Sequence, residues 1–179
     1  MDAKNIVVNM MDIIGSTPLH EACIHGNLSI VKELMNHGAD PNVQNVNFGE
    51  GKTPLQTACV GGYVAVVKTI LDHDAERIVA LVEARARGSR NTVMHFAAQN
   101  GDLEMLKVLL AYGANPSAQN IVKEAPVHIA VGQGYTDIAR VLLDCDSSCK
   151  DLLDKQHRSP LHYAARNNHV EIIELLLSK

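Results

Sequence analysis

Aromatic residues are scarce in this chain: they fill 3% of its 179 positions, with no tryptophan and two phenylalanines. That shortage excludes a core built around large rings. With 46% apolar residues, the interior has to be made from Ala, Leu, Ile and Val, which suits thin layers of short helices. No apolar run approaches the roughly 20 residues that a membrane-crossing helix needs. Met1 to Met10 lacks the basic start and long apolar stretch of a secretory leader. The formal charge of -4 is too small for a disordered acidic tail and has the wrong sign for a dedicated nucleic-acid binder. The signatures of common catalytic centres are also missing: no Gly-x-Ser-x-Gly, no phosphate-binding glycine loop ending in Lys-Ser/Thr, no His-Glu-x-x-His. No cofactor and no enzyme activity are expected of this stretch.

Four cysteines do not form a disulfide framework. Cys23 and Cys59 follow Ala22 and Ala58 at matching points of two similar segments, where Ala98, Val131 and Ala165 stand elsewhere. Cysteine acts there as a small buried residue. Cys145 and Cys149 read as ordinary free thiols, since two ligands do not close a zinc site. An intracellular, cytoplasmic setting is expected, with the nucleus or delivery into a host cell left open.

What the chain does have is a repeat. Thr17-Pro18-Leu19-His20 is echoed by Thr53-Pro54-Leu55-Gln56, Thr92-Val93-Met94-His95, Ala125-Pro126-Val127-His128 and Ser159-Pro160-Leu161-His162, at intervals of 36, 39, 33 and 34 residues. Self-similarity at this period signals stacked units, none able to bury its apolar face alone. In the first unit Gly15 supplies a turn, Thr17 caps a helix and Pro18 takes its first position. That helix ends near Gly26, whose lack of a Cβ permits a left-handed backbone. A second helix carries Leu28, Ile30, Val31, Leu34 and Met35 at helical spacing. The segment His37-Gly38-Ala39-Asp40 closes it, and an extended stretch leads onward. Gly62, Gly101 and Gly134 repeat the break, with Asn168 in the last unit.

The Thr-Pro-Leu-His-x-Ala motif, the glycine break, the Ile-Val-x-x-Leu-Leu helix and the Gly-Ala-Asp turn occur in order. On them the chain resembles an ankyrin-repeat protein from about Asp12 to Lys179. The resemblance implies an all-α solenoid of stacked helix-turn-helix units with protruding β-hairpin loops. It implies one domain over 1–179 with about five repeats, at 12–47, 48–86, 87–119, 120–153 and 154–179, and a partial cap at 1–11. Gln56 for His, Val93 for Pro, Ala125 for Thr, and Cys145-Asp146 for Gly-Ala depart from the pattern. His20, His95, His128 and His162 are one structural residue in successive layers. Layers about 8–10 Å apart cannot share a metal whose bonds to nitrogen are near 2 Å, so these side chains are expected to hold backbone between repeats.

Two insertions break the rhythm. The loop between units one and two gains about three residues and puts Phe48 on a tip, either folded back on its neighbour or an anchor for a partner. Between units two and three, Asp74 to Gly88 reads as an additional helical turn with Ile78, Val79, Leu81 and Val82 on one side. It runs into Arg85, Arg87 and Arg90, a solvated face or part of a binding face. Ile6, Val7 and Val8 are placed to cover the first repeat. The stop at Lys179 after an apolar helix reads as a fragment of a longer protein or a layer covered by a partner.

The resemblance implies that hairpin tips and first-helix ends form a concave groove that recognises other proteins. The tip positions are Ile14, Ser16, Glu50, Lys52, Arg90, Asn91, Lys123, Glu124, Lys155, Gln156 and Arg158. The helix-end positions are Ile24, His25, Val60, Gln99, Asn100, Gln133, Arg166 and Asn167. Early layers are apolar there and late ones basic, which favours another protein with an acidic segment, bound by a monomer without nucleic acid or membrane. Likeness to inhibitors of Rel-type transcription factors, a host-directed effector, or the recognition arm of an enzyme or channel are the alternatives. Asn42, eight residues after Leu34, resembles the hairpin asparagine that some ankyrin repeats offer to an asparaginyl hydroxylase.

Overall fold

Thr17 and its counterparts start the helices as their position before Pro or Val requires, and the layers follow from there. A computed structural model of the chain describes residues 7–46 and 50–179. Helices α1 (Pro18–Ile24) and α2 (Leu28–Asn36) form the first layer, α3 (Pro54–Val60) and α4 (Val64–His73) the second. A 3-10 turn at Ala75–Arg77 leads into α5 (Ile78–Glu83), an addition to the second layer. The third layer is α6 (Val93–Asn100) with α7 (Leu103–Ala111), the fourth α8 (Pro126–Gln133) with α9 (Thr136–Cys145). After a 3-10 turn at Ser147–Asp151, α10 (Pro160–Arg166) and α11 (Val170–Ser178) make the fifth. First helices pack on first helices from layer to layer, and second helices on second helices.

The connecting loops have the outline of hairpins, though no residue among those described is in a strand. Neighbouring tips are tied by one or two main-chain bonds: Val46 N–H to Ile14 O (2.8 Å), Arg87 N–H to Gly51 O (3.1 Å) with Gly88 N–H to Glu50 O (3.2 Å), Ile121 N–H to Ser89 O (2.8 Å) and Lys155 N–H to Val122 O (3.0 Å). Phe48 lies outside the described residues.

The scarcity of rings explains how close the layers come. Ala22, Ala58, Ala97, Ala130 and Ala164, five residues past each N-cap, are all buried between first helices. Cys23 and Cys59 have no exposed surface, and burial pushes the Cys23 thiol up to about 12, so they are packing residues as the repeat alignment implies. Val8 is buried against the first layer while Val7 is exposed, and the Asn9 side chain bridges Gly38 O and Asp40 N–H.

The insertion after α4 follows its sequence reading, with one correction. Leu81 and Val82 are buried and Ile78 is half-buried, but Val79 is 70% exposed; the six residues of α5 turn only one narrow stripe inward. A second irregularity was hidden in a regular 34-residue interval. Cys145-Asp146 replaces the usual glycine turn, Asp146 accepts from Ser148 N–H, and the chain winds into the Ser147–Asp151 turn.

Each glycine that ends a first helix is covered by the residue that opens the next layer's second helix. Gly101 has φ +70°, and a Cβ there would come within 2.7 Å of the Tyr135 ring. Gly101→Ala thus combines a left-handed backbone with a clash against a half-buried ring. The expected loss is about 2–3 kcal/mol, read as a lower urea midpoint with an unchanged slope.

Candidate partner-binding groove

Three histidines of the repeat motif, His20, His95 and His128, are scaffold, and their geometry fixes their protonation. His20 Nδ1 accepts from Thr17 N–H (3.1 Å), while its Nε2 lies 3.0 Å from Lys52 O. A carbonyl can only accept, so Nε2 carries the proton and the ring is neutral. His95 repeats this with Thr92 N–H and Glu124 O, and His128 with Ala125 N–H and Leu152 O. Gln56 does the same with an amide: its oxygen accepts from Thr53 N–H (3.0 Å) and its nitrogen donates to Ala84 O (2.7 Å). Each motif residue thus joins its own helix cap to the next loop. His162 has the cap half of the pair, with Ser159 N–H at 3.1 Å, and is exposed.

The tips are shaped by a second repeated device. Asp12 accepts from Ile14 and Ser16 N–H, Asn120 from Val122 and Glu124 N–H, Asp154 from Gln156 and Arg158 N–H. Such side chain to backbone bonds fold a turn without a strand. The residue two before each N-cap then takes a left-handed φ. It is Gly15 and Gly51 in the first two loops but Arg90, Lys123 and His157 in the later three, at φ 58–59°.

The structure gathers part of the expected site and disperses the rest. A polar cavity of about 410 Å³ over layers three to five is lined by Asn91, Gln99, Glu124, Gln133, Arg166 and Asn167, together with Tyr163 and Ile129. Arg90, Lys123 and Lys155 are exposed on the tips. Ser16 and His25 instead line a larger cavity of about 600 Å³ at the first layer, beside Met10, Met11 and Pro18. Ile24 and Val60 are exposed on the first two layers, and Ile14 is half-buried.

Several site residues also bind the scaffold. Asn100 donates its amide to Cys59 O and Val60 O, and Asn167 donates to Gly132 O (2.9 Å). Glu50 and Lys52 pair with each other, and Lys52 Nζ lies 5.7 Å from the centre of the buried Phe96 ring. Gln156 accepts from Arg158 (2.7 Å). Asn42 is half-buried in the turn after α2, its N–H bound by Asp40. Of the arginine cluster, Arg85 donates to Gln119 O and Arg87 to Gln44, so both serve as struts, while Arg90 is exposed.

Arg158, expected as a groove cation, is matched within its own layer. Its guanidinium sits 2.7 Å from Asp154, whose side chain is 1% exposed. The Tyr163 hydroxyl lies 2.8 Å from Asp154 and 2.7 Å from Glu124, one proton for two carboxylates, and accepts from Arg158 at 3.0 Å. Burial acts to raise the Asp154 pKa. The Arg158 main chain, the Tyr163 hydroxyl and the guanidinium outweigh it and hold the carboxyl well below its usual range. The same burial, with both carboxylates, pushes the Tyr163 phenol up.

Sequence reasoning missed the floor of the groove. In the polar cavity it includes Ile129 and Tyr163, which fill the x of Thr-Pro-Leu-His-x-Ala in layers four and five. The signal was inside the motif itself, as its one freely varying slot.

Comparison with known proteins agrees with this architecture. The family described as ankyrin repeats (3 copies) matches at residues 3–80, 19–120 and 94–179. A transient receptor potential cation channel subfamily A member 1 homolog of Caenorhabditis elegans is 38% identical over 49% of this chain and 7% of its own length. A putative E3 ubiquitin-protein ligase of Arabidopsis thaliana, XBAT31, is 32% identical over 50% of this chain and 20% of its own. A putative ankyrin repeat protein of Fowlpox virus, FPV014, is 31% identical over 48% and 20%. The chain thus spans a fifth or less of these curated relatives. No helix among the described residues is long and apolar enough to cross a membrane.

Proposed function

The chain belongs to the ankyrin-repeat family, a non-catalytic protein-interaction fold, and on that premise we propose that the groove over layers three to five captures an acidic segment of a partner protein. One observation carries the proposal. Arg90, Lys123, Lys155 and Arg166 are exposed, and none of their side chains has an ion pair or hydrogen bond among the described residues. Glu124 and Asp154, next to Lys123 and Lys155 in the chain, are occupied by Tyr163 and Arg158. Holding Arg90 and Lys123 in a left-handed backbone, where the first two loops use glycine, costs about 1 kcal/mol each. A strained position with an unpaired cation fits a residue kept for binding.

The test uses a fluorescein-labelled peptide of alternating Ser and Glu. Wild type binds it, more weakly as salt rises, because exposed charges are screened within about 8 Å at physiological ionic strength. The triple variant Lys123→Glu, Lys155→Glu, Arg166→Glu loses binding with an unchanged melting curve. Arg158 is left alone, since reversing it would break the ion pair with Asp154. Binding that survives the triple variant overturns the proposal.

A second reading concerns the whole protein. The relatives above include a channel homolog and a putative ubiquitin ligase, and the matched region is a small share of each. This supports the array as the recognition arm of a larger protein whose activity resides in other domains; the sequence of the full reading frame tests it. The fowlpox relative supports the host-directed alternative in the same way.

A further inference from the structure

Seven residues after each N-cap, the first helices present Ile24, Val60, Gln99, Gly132 and Arg166 in a row along the groove. Layer four alone has no side chain there. Gly132 lies within α8, where glycine is unfavourable relative to alanine. It has no positive φ to justify it, and its carbonyl, which accepts from Asn167, needs no glycine. Its effect is spatial: the missing side chain opens the polar cavity between Gln99 and Arg166 and bares Tyr163 below. A Cβ at this position would stand 3.3 Å from Tyr163 Cδ1.

We propose that this notch is a socket for a single carboxylate side chain of an extended acidic segment, which makes Gly132 the position that sets where the segment docks; this rests on the groove reading above. Arg166 on one flank is an unpaired guanidinium able to grip a carboxylate through two parallel bonds. Gln99 and Gln133 are exposed amides with no partner among the described residues, free to bind the main chain on either side. Glu124 also lines the cavity, its carboxylate bonded to the Tyr163 hydroxyl, and repels an anion, which directs it to Arg166. A cation in the socket would face Arg166.

The experiment measures the Ser-Glu peptide, and a Ser-Gln peptide of the same length, against wild type, Gly132→Gln, Gly132→Ala and Val79→Gln. Gly132→Gln gives layer four the side chain of layer three and is expected to weaken the Ser-Glu peptide about tenfold or more. Gly132→Ala falls between it and wild type, and Val79→Gln, on the exposed side of α5 and outside the groove, has no effect. Melting temperatures of both Gly132 variants stay within a few degrees of wild type, the gain from removing a helix-interior glycine being offset by the tight contact of the new Cβ with the Tyr163 ring. In wild type, amide NMR shifts on titration centre on Gly132, Gln133 and Arg166. Equal binding by wild type and Gly132→Gln overturns the socket, as does equal binding of the Ser-Gln peptide. If Gly132→Gln binds normally while the triple charge reversal does not, the groove reading stands and the socket falls; if neither variant changes binding, both fall.

Discussion

Asp154→Ala is expected to loosen the loop and helices of the fifth layer with a loss of about 2–4 kcal/mol, seen as early hydrogen exchange confined to α10 and α11. The carboxylate accepts from two main-chain N–H groups, the guanidinium of Arg158 and the hydroxyl of Tyr163. Removing it leaves a half-buried cation and several donors without an acceptor, the costly way to break a buried pair. In a repeat array each layer touches only its neighbours, so the loss stays local and the terminal layer opens first. Asp154→Asn separates the two contributions. Asn120 supports the fourth loop with the same pair of main-chain bonds, so an amide at 154 keeps the turn and loses only the charge, for about half the effect. If Asp154→Ala melts with wild type, or if Asn and Ala cost the same, the carboxylate's charge is not what holds the fifth layer's loop.

The contrast between Asp154 and the motif histidines shows what a single sequence reveals. Helix starts, glycine breaks and the stacking faces follow local rules of capping, conformational freedom and apolar spacing, so each is written within a few residues of where it acts. The part the motif histidines play in holding backbone between repeats was also readable, and His20, His95 and His128 play it. Asp154 was not singled out, although an Asp or Asn stands five residues before the N-cap in three loops, at Asp12, Asn120 and Asp154. Insertion hides the pattern in the second loop, where Asn45 takes the role and accepts from Lys52 N–H across the longer turn.

The groove was readable as a set of variable positions but not as a surface. Arg158 and Arg166 look alike in the sequence, and only the fold shows that one is neutralised by a buried acid while the other is free. The notch at Gly132 depends on side chains from α6, α8 and α10 together, a juxtaposition across 67 positions from Gln99 to Arg166. No local rule announces it.

Acid is expected to unfold this array in a way the motif dictates. Burial lowers the pKa of His20, His95 and His128, that of His95 to about 4, from an ordinary value of 6.5, and the carbonyl bonds to the rings only partly offset it. In the unfolded chain these rings take up a proton near pH 6.5, while in the folded chain they resist it. The unfolded state therefore binds more protons between pH 6.5 and 4, and stability present above pH 6.5 is lost as the pH falls through that window. For His95 alone the gap corresponds to roughly 2–3 kcal/mol between pH 7.5 and 4.5. His95→Gln provides the test, because Gln56 already shows that an amide makes both bonds without a titrating group. Urea melts of His95→Gln should lie within about 1 kcal/mol of wild type at pH 7.5 and above it at pH 4.5. His95→Leu, which abandons the Thr92 and Glu124 groups, should be weaker at neutral pH. The junction between layers two and three, held by Gln56, is the one acid leaves untouched, and hydrogen exchange at pH 4.5 should find its amides the best protected. A pH profile for His95→Gln parallel to that of wild type would show that the histidine ladder does not set the acid limit.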